Sequence, residues 1–431
     1  MARKMKDSGI EWIGEIPEGW EIRKIKNNFM IYAGATPKSE KAEYWDGGIP
    51  WITPADFKTT DKYVSYGRKS LTALGYDSCG TTLVPAGSII FSKRAPVGSV
   101  VIAKNTLCTN QGCLACIPND AVNSTYFYYC MSIFTEQFEL VSAGTTFKEI
   151  SASTFASFLL PCPPLSQQNE IVNFLDKESS RIDSMLSKTH SSIEEYKKLK
   201  QAVITQAVTK GVCGEREMKD SGVAWIGKIP TTYSICKLKY LLKNPLKYGA
   251  NESGIPYSDS LPRYIRITDI TPDGNLKCTG KLSLSEESAK DYILEDGDIL
   301  FARSGATVGK TFIYYQSYGR SAYAGYLIKA SLNNKVSPKF VYYYTCSSLY
   351  EIWKNSIFIQ STIQNIGADR YENLPVPVPK TLQEQEEIAD YLDAKCAEID
   401  KLIAKKEQLV KELESYKKSL IYEVVTGKRE V

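Results

Sequence analysis

The chain has 431 residues, of which 43% are hydrophobic and 24% are charged, and its net charge is +4. This length allows two or three domains with their own cores, and the weak basic charge permits a nucleic-acid partner without requiring one. The N-terminus lacks an apolar signal core, and no apolar run approaches the roughly 18 residues that span a membrane. The eleven cysteines follow no disulfide framework. We therefore predict a soluble cytoplasmic protein with reduced thiols and no membrane partner.

The chain contains an internal repeat of domain size. Met5–Gly9 returns 213 residues later as Met218–Gly222, and further along the interval grows to 217, where Ile182–Asp183 matches Ile399–Asp400. Such a period is far longer than the 20 to 50 residues of solenoid repeats. The sequence therefore predicts two copies of one module, performing one kind of task on two different objects. Matches at the first interval also include Asp56 with Asp269 and Gly112 with Gly325.

Each half begins with a mixed block. Short β-type runs such as Gly87–Phe91 and Lys310–Tyr314 alternate with glycine and proline, a pattern typical of a compact α/β or largely β globule. Both blocks end in proline-rich segments, Leu160–Pro164 and Leu374–Pro379, which can continue neither a helix nor a central strand. The block therefore ends there in both halves.

A long amphipathic helix follows each block. Apolar residues recur at steps of three, four and seven with charged intervals, which indicates a narrow coiled-coil-like seam. About 40 residues give a helix of roughly 60 Å. We expect the two helices to pair antiparallel, related by a pseudo-twofold; the alternative is that each packs on its own globule. The seam residues are Ile171, Leu175, Ile182, Leu186, Ile193, Tyr196, Leu199, Val203 and Ala207, and, 217 residues later, Ile388, Leu392, Ile399, Ile403, Val410, Leu413, Tyr416, Leu420 and Val424.

This order of segments resembles the specificity subunit of type I restriction–modification systems over almost the whole chain. Each string is weak alone, but the strings occur in the same order in both halves with a helix after each. They are Met5–Pro17, Thr109–Gly112, Gly144–Ile150, Leu160–Gln168, Ile171–Asp176, Phe301–Gly309 and Leu382–Ile388.

The resemblance implies an α/β (α+β) fold with two tandem target recognition domains, each followed by a long helix, with the helices paired as an antiparallel coiled coil. The implied segments are recognition domain 1 (1–165), a central spacer helix (166–210), recognition domain 2 (211–380) and a distal spacer helix (381–431). Each globule would read one half of an asymmetric, bipartite target in double-stranded DNA.

The resemblance also implies partners and a division of chemistry among them. The helices would dock two methyltransferase subunits, and motor–nuclease subunits would join the complex for restriction. S-adenosylmethionine, ATP and Mg would be held by those partners only. This chain would carry no cofactor, metal or catalytic residue and would choose the DNA sequence.

Four motifs that suggest catalysis have simpler interpretations. Ser304–Thr311 nearly matches a phosphate-binding P-loop, but a strand-like run follows it where a helix is required. Asn244–Lys247 is not the motif of an adenine methyltransferase. The carboxylates at 291, 295, 296 and 298 lack the lysine of a nuclease pattern, which favours a solvated turn. Cys113 and Cys116, with Cys108, lack further zinc ligands because the only histidine is His190, so buried thiols are favoured.

The candidate DNA contacts are basic and amide residues that we expect on loops, because such side chains bind phosphates and base edges. An ordinary solvated surface charge is the alternative for each. Lys197, Lys198, Lys405 and Lys406 on the long helices are expected to be solvated, although they could face a partner or the DNA. The candidates are Lys38, Arg68, Lys93, Arg94, Gln111 and Lys148 in the first globule, and Arg263, Arg266, Arg303, Ser304, Lys310, Gln360 and Gln364 in the second.

Two other classes of function are rivals. A structural adaptor would bind protein or glycan ligands through its globules and would dimerise through its helices. A stand-alone restriction enzyme would need a catalytic motif that the sequence does not supply.

Overall fold

The structure is a computed structural model that describes residues 3–57, 61–94, 96–144, 148–271, 274–305, 307–358 and 365–431. The chain forms two compact units, Met1–Thr189 with Gln408–Val431, and His190–Glu407. Two long helices, α6 (Leu165–Lys210) and α11 (Leu382–Val425), contribute residues to both units. None of the described helices combines the length and apolar character needed to cross a membrane.

Short strands and short helices form the globular part of the first unit. Its strands are β1 (Met5–Asp7), β2 (Glu15–Pro17), β3 (Glu21–Lys24), β4 (Phe29–Ala33), β5 (Trp45–Ile52), β6 (Tyr63–Val64), β7 (Lys69–Leu71), β8 (Ile89–Ser92), β9 (Val100–Ala103), β10 (Cys108–Thr109), β11 (Cys113–Pro118) and β12 (Leu159–Cys162). Its helices are α1 (Ile25–Asn28), α2 (Ala73–Asp77), α3 (Ser124–Ile133), α4 (Thr135–Leu140) and α5 (Ala152–Ser157).

A five-stranded sheet, in the order β4-β11-β8-β9-β6, forms the centre of the first unit. All of its pairs are antiparallel except β6 with β9. Both faces of β8 are buried, because Ile89 and Phe91 pack into the larger apolar cluster while Ile90 packs into a second one on the other face. The continuous apolar run in this strand therefore reflects burial on both sides. A smaller sheet, β10-β5-β7, lies in the same unit.

The second unit repeats this plan with different strand lengths. Its strands are β13 (Met218–Asp220), β14 (Lys228–Pro230), β15 (Tyr233–Lys237), β16 (Lys247–Tyr248), β17 (Ile255–Pro256), β18 (Arg263–Ile265), β19 (Leu282–Ser283), β20 (Ile299–Ala302), β21 (Thr311–Ile313), β22 (Ser321–Tyr323), β23 (Leu327–Ala330) and β24 (Pro375–Pro379). Its helices are α7 (Glu286–Ala289), α8 (Pro338–Thr345), α9 (Ser348–Phe358) and α10 (Ala368–Glu372).

Strand β20 takes the place in the second unit that β8 takes in the first. It lies inside a four-stranded sheet, β16-β23-β20-β21, and its residues alternate between two apolar clusters. Ile299 and Phe301 enter one cluster, and Leu300 and Ala302 enter the other. A second four-stranded sheet, β17-β19-β18-β22, and the two-stranded sheets β13-β14 and β15-β24 lie in the same unit. The repeat in the sequence is therefore a repeat of tertiary structure.

The long helices pair antiparallel within each unit and also pack on the globule there. In the first unit Leu175 and Leu420 share one apolar core, and the Tyr126 hydroxyl on α3 donates to the carbonyl of Val425 at 2.9 Å. In the second unit Ile204 and Leu392 share the core with the second globule. The two arrangements that the sequence left as alternatives therefore occur together.

Two ion pairs join the helices at positions that the repeat makes equivalent. Asp183 meets Lys417 at 2.6 Å in the first unit, and Lys200 meets Asp400 at 2.6 Å in the second. Each residue of the second helix stands 217 after its counterpart in the first. The predicted seam is incomplete, however, because Leu199 and its counterpart Tyr416 are each 49% exposed. The apolar spacing predicted that both side chains would be buried in the seam, and the structure shows them half exposed.

Candidate nucleic-acid interface

Loops from four strands meet at one end of the central sheet of the first unit. Strands β4 and β8 end there, and β11 and β9 begin there, because neighbours in this part of the sheet are antiparallel. The Ala35 amide donates to the carbonyl of Thr109, and the Lys93 amide donates to the carbonyl of Gly112. We call the loops at this end of the sheet the first loop end. It comprises residues 34–38, 53–56, 66–68, 93–94, 109–112 and 148–150.

The first loop end holds all six of the candidates predicted in the first globule. Lys93 and Arg94 follow β8, and Glu149 pairs with both of them at 2.9 Å through its two different oxygens. The hydrogen bond from Lys93 holds the pKa of Glu149 below its ordinary range, although partial burial opposes this shift. Lys148 lies 3.9 Å from Glu139. The sequence did not single out Glu149, because its partner Arg94 lies 55 residues away along the chain.

Asp56 organises the neighbouring turn of the first loop end. Its carboxylate accepts from the Thr53 amide at 2.9 Å and from the Thr53 hydroxyl at 2.7 Å, and it caps the short 3-10 helix Pro54–Asp56. It also accepts from the backbone amide of Arg68 at 3.0 Å. The Arg68 side chain donates to the carbonyl of Ala55 and is 74% exposed. The turn therefore exposes the Arg68 guanidinium while Asp56 holds the Arg68 backbone in place.

Gln111 and Lys38 occupy the remaining loops of the first loop end. Gln111 is exposed between β10 and β11, and its side-chain carbonyl accepts from the Thr36 hydroxyl. Lys38 is exposed, and no carboxylate of the described ranges lies within ion-pair distance of it. The loop end thus carries cations and an amide on separate loops.

The second unit has a corresponding second loop end, at 249–251, 266–269, 303–304, 309–310, 325–326 and 365–367. The hydrogen bonds that define it match those of the first. The amide of Arg303 donates to Tyr326 O at 3.0 Å, as Lys93 does to Gly112 O at 2.9 Å. The amide of Ile366 donates to Arg303 O at 2.9 Å, as Ile150 does to Lys93 O at 3.0 Å. Arg303 is therefore the structural counterpart of Lys93.

Arg303 is held by an aromatic ring, whereas Lys93 is held by a carboxylate. Its guanidinium lies 5.0 Å from the centre of the Tyr248 ring, a cation–π distance. The Tyr248 hydroxyl in turn accepts from the Ala368 amide at 3.1 Å. Across the described part of the chain, neither Arg303 nor Lys310 forms an ion pair. Tyr326 is 62% exposed beside Arg303, a placement that nothing in the sequence indicated.

Two candidates of the second globule are committed to internal contacts. The prediction that Arg263 lies on a loop is wrong: it begins β18, is only 8% exposed and donates to the carbonyl of Lys277 at 2.6 Å. Arg266 forms two hydrogen bonds with Asp269, at 3.0 and 2.8 Å, and these stabilise its charge and raise its pKa. Ser304 forms an isolated bridge with Asn365. Gln360 and Gln364 lie outside the described residues.

The structure excludes a phosphate-binding P-loop at Ser304–Thr311. Among the described residues, Gly309 and Lys310 lead into strand β21 and not into a helix, so no helix N-terminus faces a phosphate there. Lys310 directly precedes that strand, and its carbonyl accepts from the Ala302 amide at 2.8 Å. The strand expected from the sequence is therefore present.

Cys108, Cys113 and Cys116 are buried apolar core residues, as the sequence favoured. Cys113 and Cys116 belong to β11 but enter different apolar clusters, because residues three apart in a strand point to opposite faces. Burial raises the pKa of Cys108 to about 12. Within the described ranges, no group of three or more histidine, cysteine or acidic side chains is placed to hold a metal ion.

The acidic cluster before β20 is structural. Asp298 is buried, accepts from the Ser331 hydroxyl at 2.6 Å and caps the amide of Glu295 at 2.8 Å. Asp296 accepts from the Gln316 amide at 2.7 Å, and the Asp291 carbonyl accepts from Lys247. Asp291, Glu295 and Asp296 are exposed, as expected for a solvated turn. The expectation is wrong for Asp298 alone, which is buried and accepts the hydrogen bonds that fix the turn.

The four lysines singled out on the long helices are exposed or half-buried. Lys197 pairs with Glu194 one turn earlier on the same helix at 2.9 Å. Lys198 and Lys405 are exposed, and Lys406 is half-buried.

Residues 17–195 and 255–412, most of the chain, match the type I restriction modification DNA specificity domain. This match defines a class of proteins that select DNA sequences. The chain belongs to the type I restriction–modification DNA specificity family.

Curated relatives share this assignment. The MjaIX specificity subunit of Methanocaldococcus jannaschii is 29% identical over 69% of this chain and 68% of its own length. The MjaVIII specificity subunit of the same organism is 22% identical over 96% of this chain and 93% of its own. The EcoBI specificity subunit of Escherichia coli is 23% identical over 90% and 81%. These relatives are named as specificity subunits of restriction enzymes.

Solved structures show the same fold. A chain from a study of complex assembly and conformational transition of the type I R-M system has a TM-score of 0.76, at 15% identity over 96% of this chain and 99% of its own. The HsdS subunit from Thermoanaerobacter tengcongensis has a TM-score of 0.53, at 15% identity over 96% and 98%. The predicted mixed α/β architecture with two related domains and long helices is confirmed.

Proposed function

We propose that each loop end binds one half of a bipartite, asymmetric DNA target, so that this chain selects sequence for a type I restriction–modification complex. One observation supports this most directly. In both units, candidate residues far apart in the chain meet at the same end of the central sheet, through equivalent hydrogen bonds from Lys93 and Arg303. Two related surfaces with different side chains suit two different half-sites.

The charges of the loop ends suit a DNA duplex. Lys93 and Arg94 share a single carboxylate, so this cluster keeps one net positive charge. Arg303 and Lys310 have no carboxylate partner within the described part of the chain. Cations that keep net charge can neutralise phosphates and thereby fix the register of the protein on DNA. Side chains between them can then reach base edges in the major groove.

The long helices are proposed to dock two methyltransferase subunits, and motor–nuclease subunits are proposed to join that assembly. Leu199 and Tyr416 are exposed apolar side chains on these helices and are available to pack against such a partner. S-adenosylmethionine, ATP and Mg are assigned to those partners. This chain then contributes target choice, which agrees with a family of DNA specificity proteins.

Salt dependence of DNA binding tests the proposal. The full chain, purified with its methyltransferase partner, is titrated with DNA containing the methylated target at several salt concentrations. Arg303→Ala is expected to weaken binding and to make the slope of log K against log salt shallower by about one, as for the loss of one phosphate contact. Lys26→Ala, which removes an exposed lysine on α1 outside both loop ends, is the matched control. Binding insensitive to salt and to Arg303 would favour the protein-binding adaptor.

A further inference from the structure

Glu149 lies at the first loop end between two cations and is a hydrogen-bond acceptor that could contact a DNA base. Its side chain is 38% exposed, and each oxygen already accepts from one cation, Lys93 on one side and Arg94 on the other. A carboxylate has about four acceptor positions, so two contacts leave capacity for further donors. The two flanking cations orient the group and keep it ionised, since hydrogen bonding lowers its pKa.

The same backbone position carries a different polar group in the second unit. Glu149 forms an isolated bridge with Arg94, and Asn365 forms one with Ser304. The residue after each, Ile150 or Ile366, donates to the carbonyl of the counterpart cation. The two loop ends therefore place different polar groups at one backbone position. Carboxylate and amide groups prefer different bases in the major groove, cytosine N4 and the adenine N6/N7 edge respectively.

The local charge permits close approach to DNA. An isolated carboxylate is repelled by phosphates, but Glu149 together with Lys93 and Arg94 has a net charge of +1. The neighbouring Lys148 is exposed as well. A carboxylate set among cations can therefore reach a base edge while its neighbours contact the backbone.

We propose that Glu149 is a specificity-determining residue whose carboxylate accepts a hydrogen bond from the exocyclic amino group of a cytosine in the first half-site, with Lys93 and Arg94 as positioning residues. This inference rests on the proposed function, because it assumes that the first loop end faces DNA.

The test is the methylated motif produced in cells by the complete complex. Wild type is expected to require C·G at one position of the first half-site. Glu149→Gln is expected to accept A·T there, because glutamine pairs with the N6 and N7 of adenine, with discrimination shifted by roughly tenfold or more. Every other position is expected to stay unchanged. Glu21→Gln, which breaks the exposed pair with Arg23 in the same unit, is the matched control and should leave the motif intact.

A purely structural role gives a different result. If Glu149 only braces its loop, Glu149→Gln lowers methylation evenly at all sites and the motif is unchanged, which overturns the proposal. Asn365→Ala provides a second test, with relaxation expected at one position of the other half-site alone. Loss of all methylation in both variants would also overturn it. A wild-type complex without any bipartite motif would instead refute the proposed function, before any variant is compared.

Discussion

Asp56 shows how a single side chain fixes a loop end. It is nearly buried and accepts from the amides of Thr53 and Arg68 and from the Thr53 hydroxyl. Asp269 makes the corresponding cap in the second unit, where it also pairs with Arg266. The two aspartates that the sequence repeat aligns therefore have the same structural role, which is to cap a short turn at a loop end.

Asp56→Ala is expected to lower the free energy of unfolding by about 2 kcal/mol, because it removes a nearly buried acceptor from three donors, two of them part-buried. Urea denaturation of the purified chain measures this change. Asp77→Ala, at an exposed aspartate on α2, is the control and should change stability by less than about 0.5 kcal/mol. Equal effects of the two substitutions would contradict the capping role.

The cysteines allow a second test at this scale. Burial raises the pKa of Cys108 to about 12 and that of Cys346 to about 11, so both thiols stay protonated at neutral pH. Cys213 and Cys278 are exposed.

We expect an alkylating reagent to label Cys213 and Cys278 first, and the cysteines of β10 and β11 only after unfolding. Mass spectrometry of peptides after brief alkylation measures the order. We expect a chelator to leave this order unchanged, because the described residues place no group of three or more histidine, cysteine or acidic side chains to hold a metal ion. Rapid labelling of Cys113 or Cys116 after chelation would support the zinc site that we reject.

At the scale of elements, the long helices were predictable and the loop contacts were not. The period of three and four residues identifies both helices, and the proline-rich segments precede them closely. Which seam positions are buried depends on neighbours that lie far away in the sequence, so the pattern could not distinguish Leu175 from Leu199. The pairing of Arg94 with Glu149 likewise requires the whole sheet to be folded.

Leu392→Ala is expected to lower the free energy of unfolding by about 3 kcal/mol, because truncating this fully buried helix residue creates a cavity in the apolar core of the second unit. Leu199→Ala is the matched control because it lies on the other long helix in the same unit with half of its surface exposed. We expect it to cost less than about 0.5 kcal/mol. Thermal and urea denaturation measure both, and similar losses would contradict the burial described here.

At the scale of the whole molecule, the duplication is the feature that the sequence predicted most directly. Matching strings at 213 and 217 residues correspond to two units with equivalent central strands, β8 and β20. The sequence could not reveal which candidates keep a free charge. Arg263 is a buried strand residue whereas Arg303 stacks on Tyr248, and both are arginines beside β-type runs.

Replacing residues 20–164 with the corresponding block of another family member is expected to change one half of the methylated motif and leave the other half intact. The reason is that each loop end is built from the strands and loops of its own unit. Sequencing the methylated sites of cells that carry the chimera, beside cells with the unaltered chain, measures this. Changes in both halves would contradict modular recognition.

The central claim is that this chain chooses the DNA sequence for methylation. Single-molecule methylation sequencing of DNA from cells with and without this gene, both expressing the methyltransferase partner, tests it most directly. We expect one bipartite, non-palindromic, adenine-methylated motif to be present with the gene and to disappear without it. An identical set of methylated motifs in the two kinds of cell would contradict the claim.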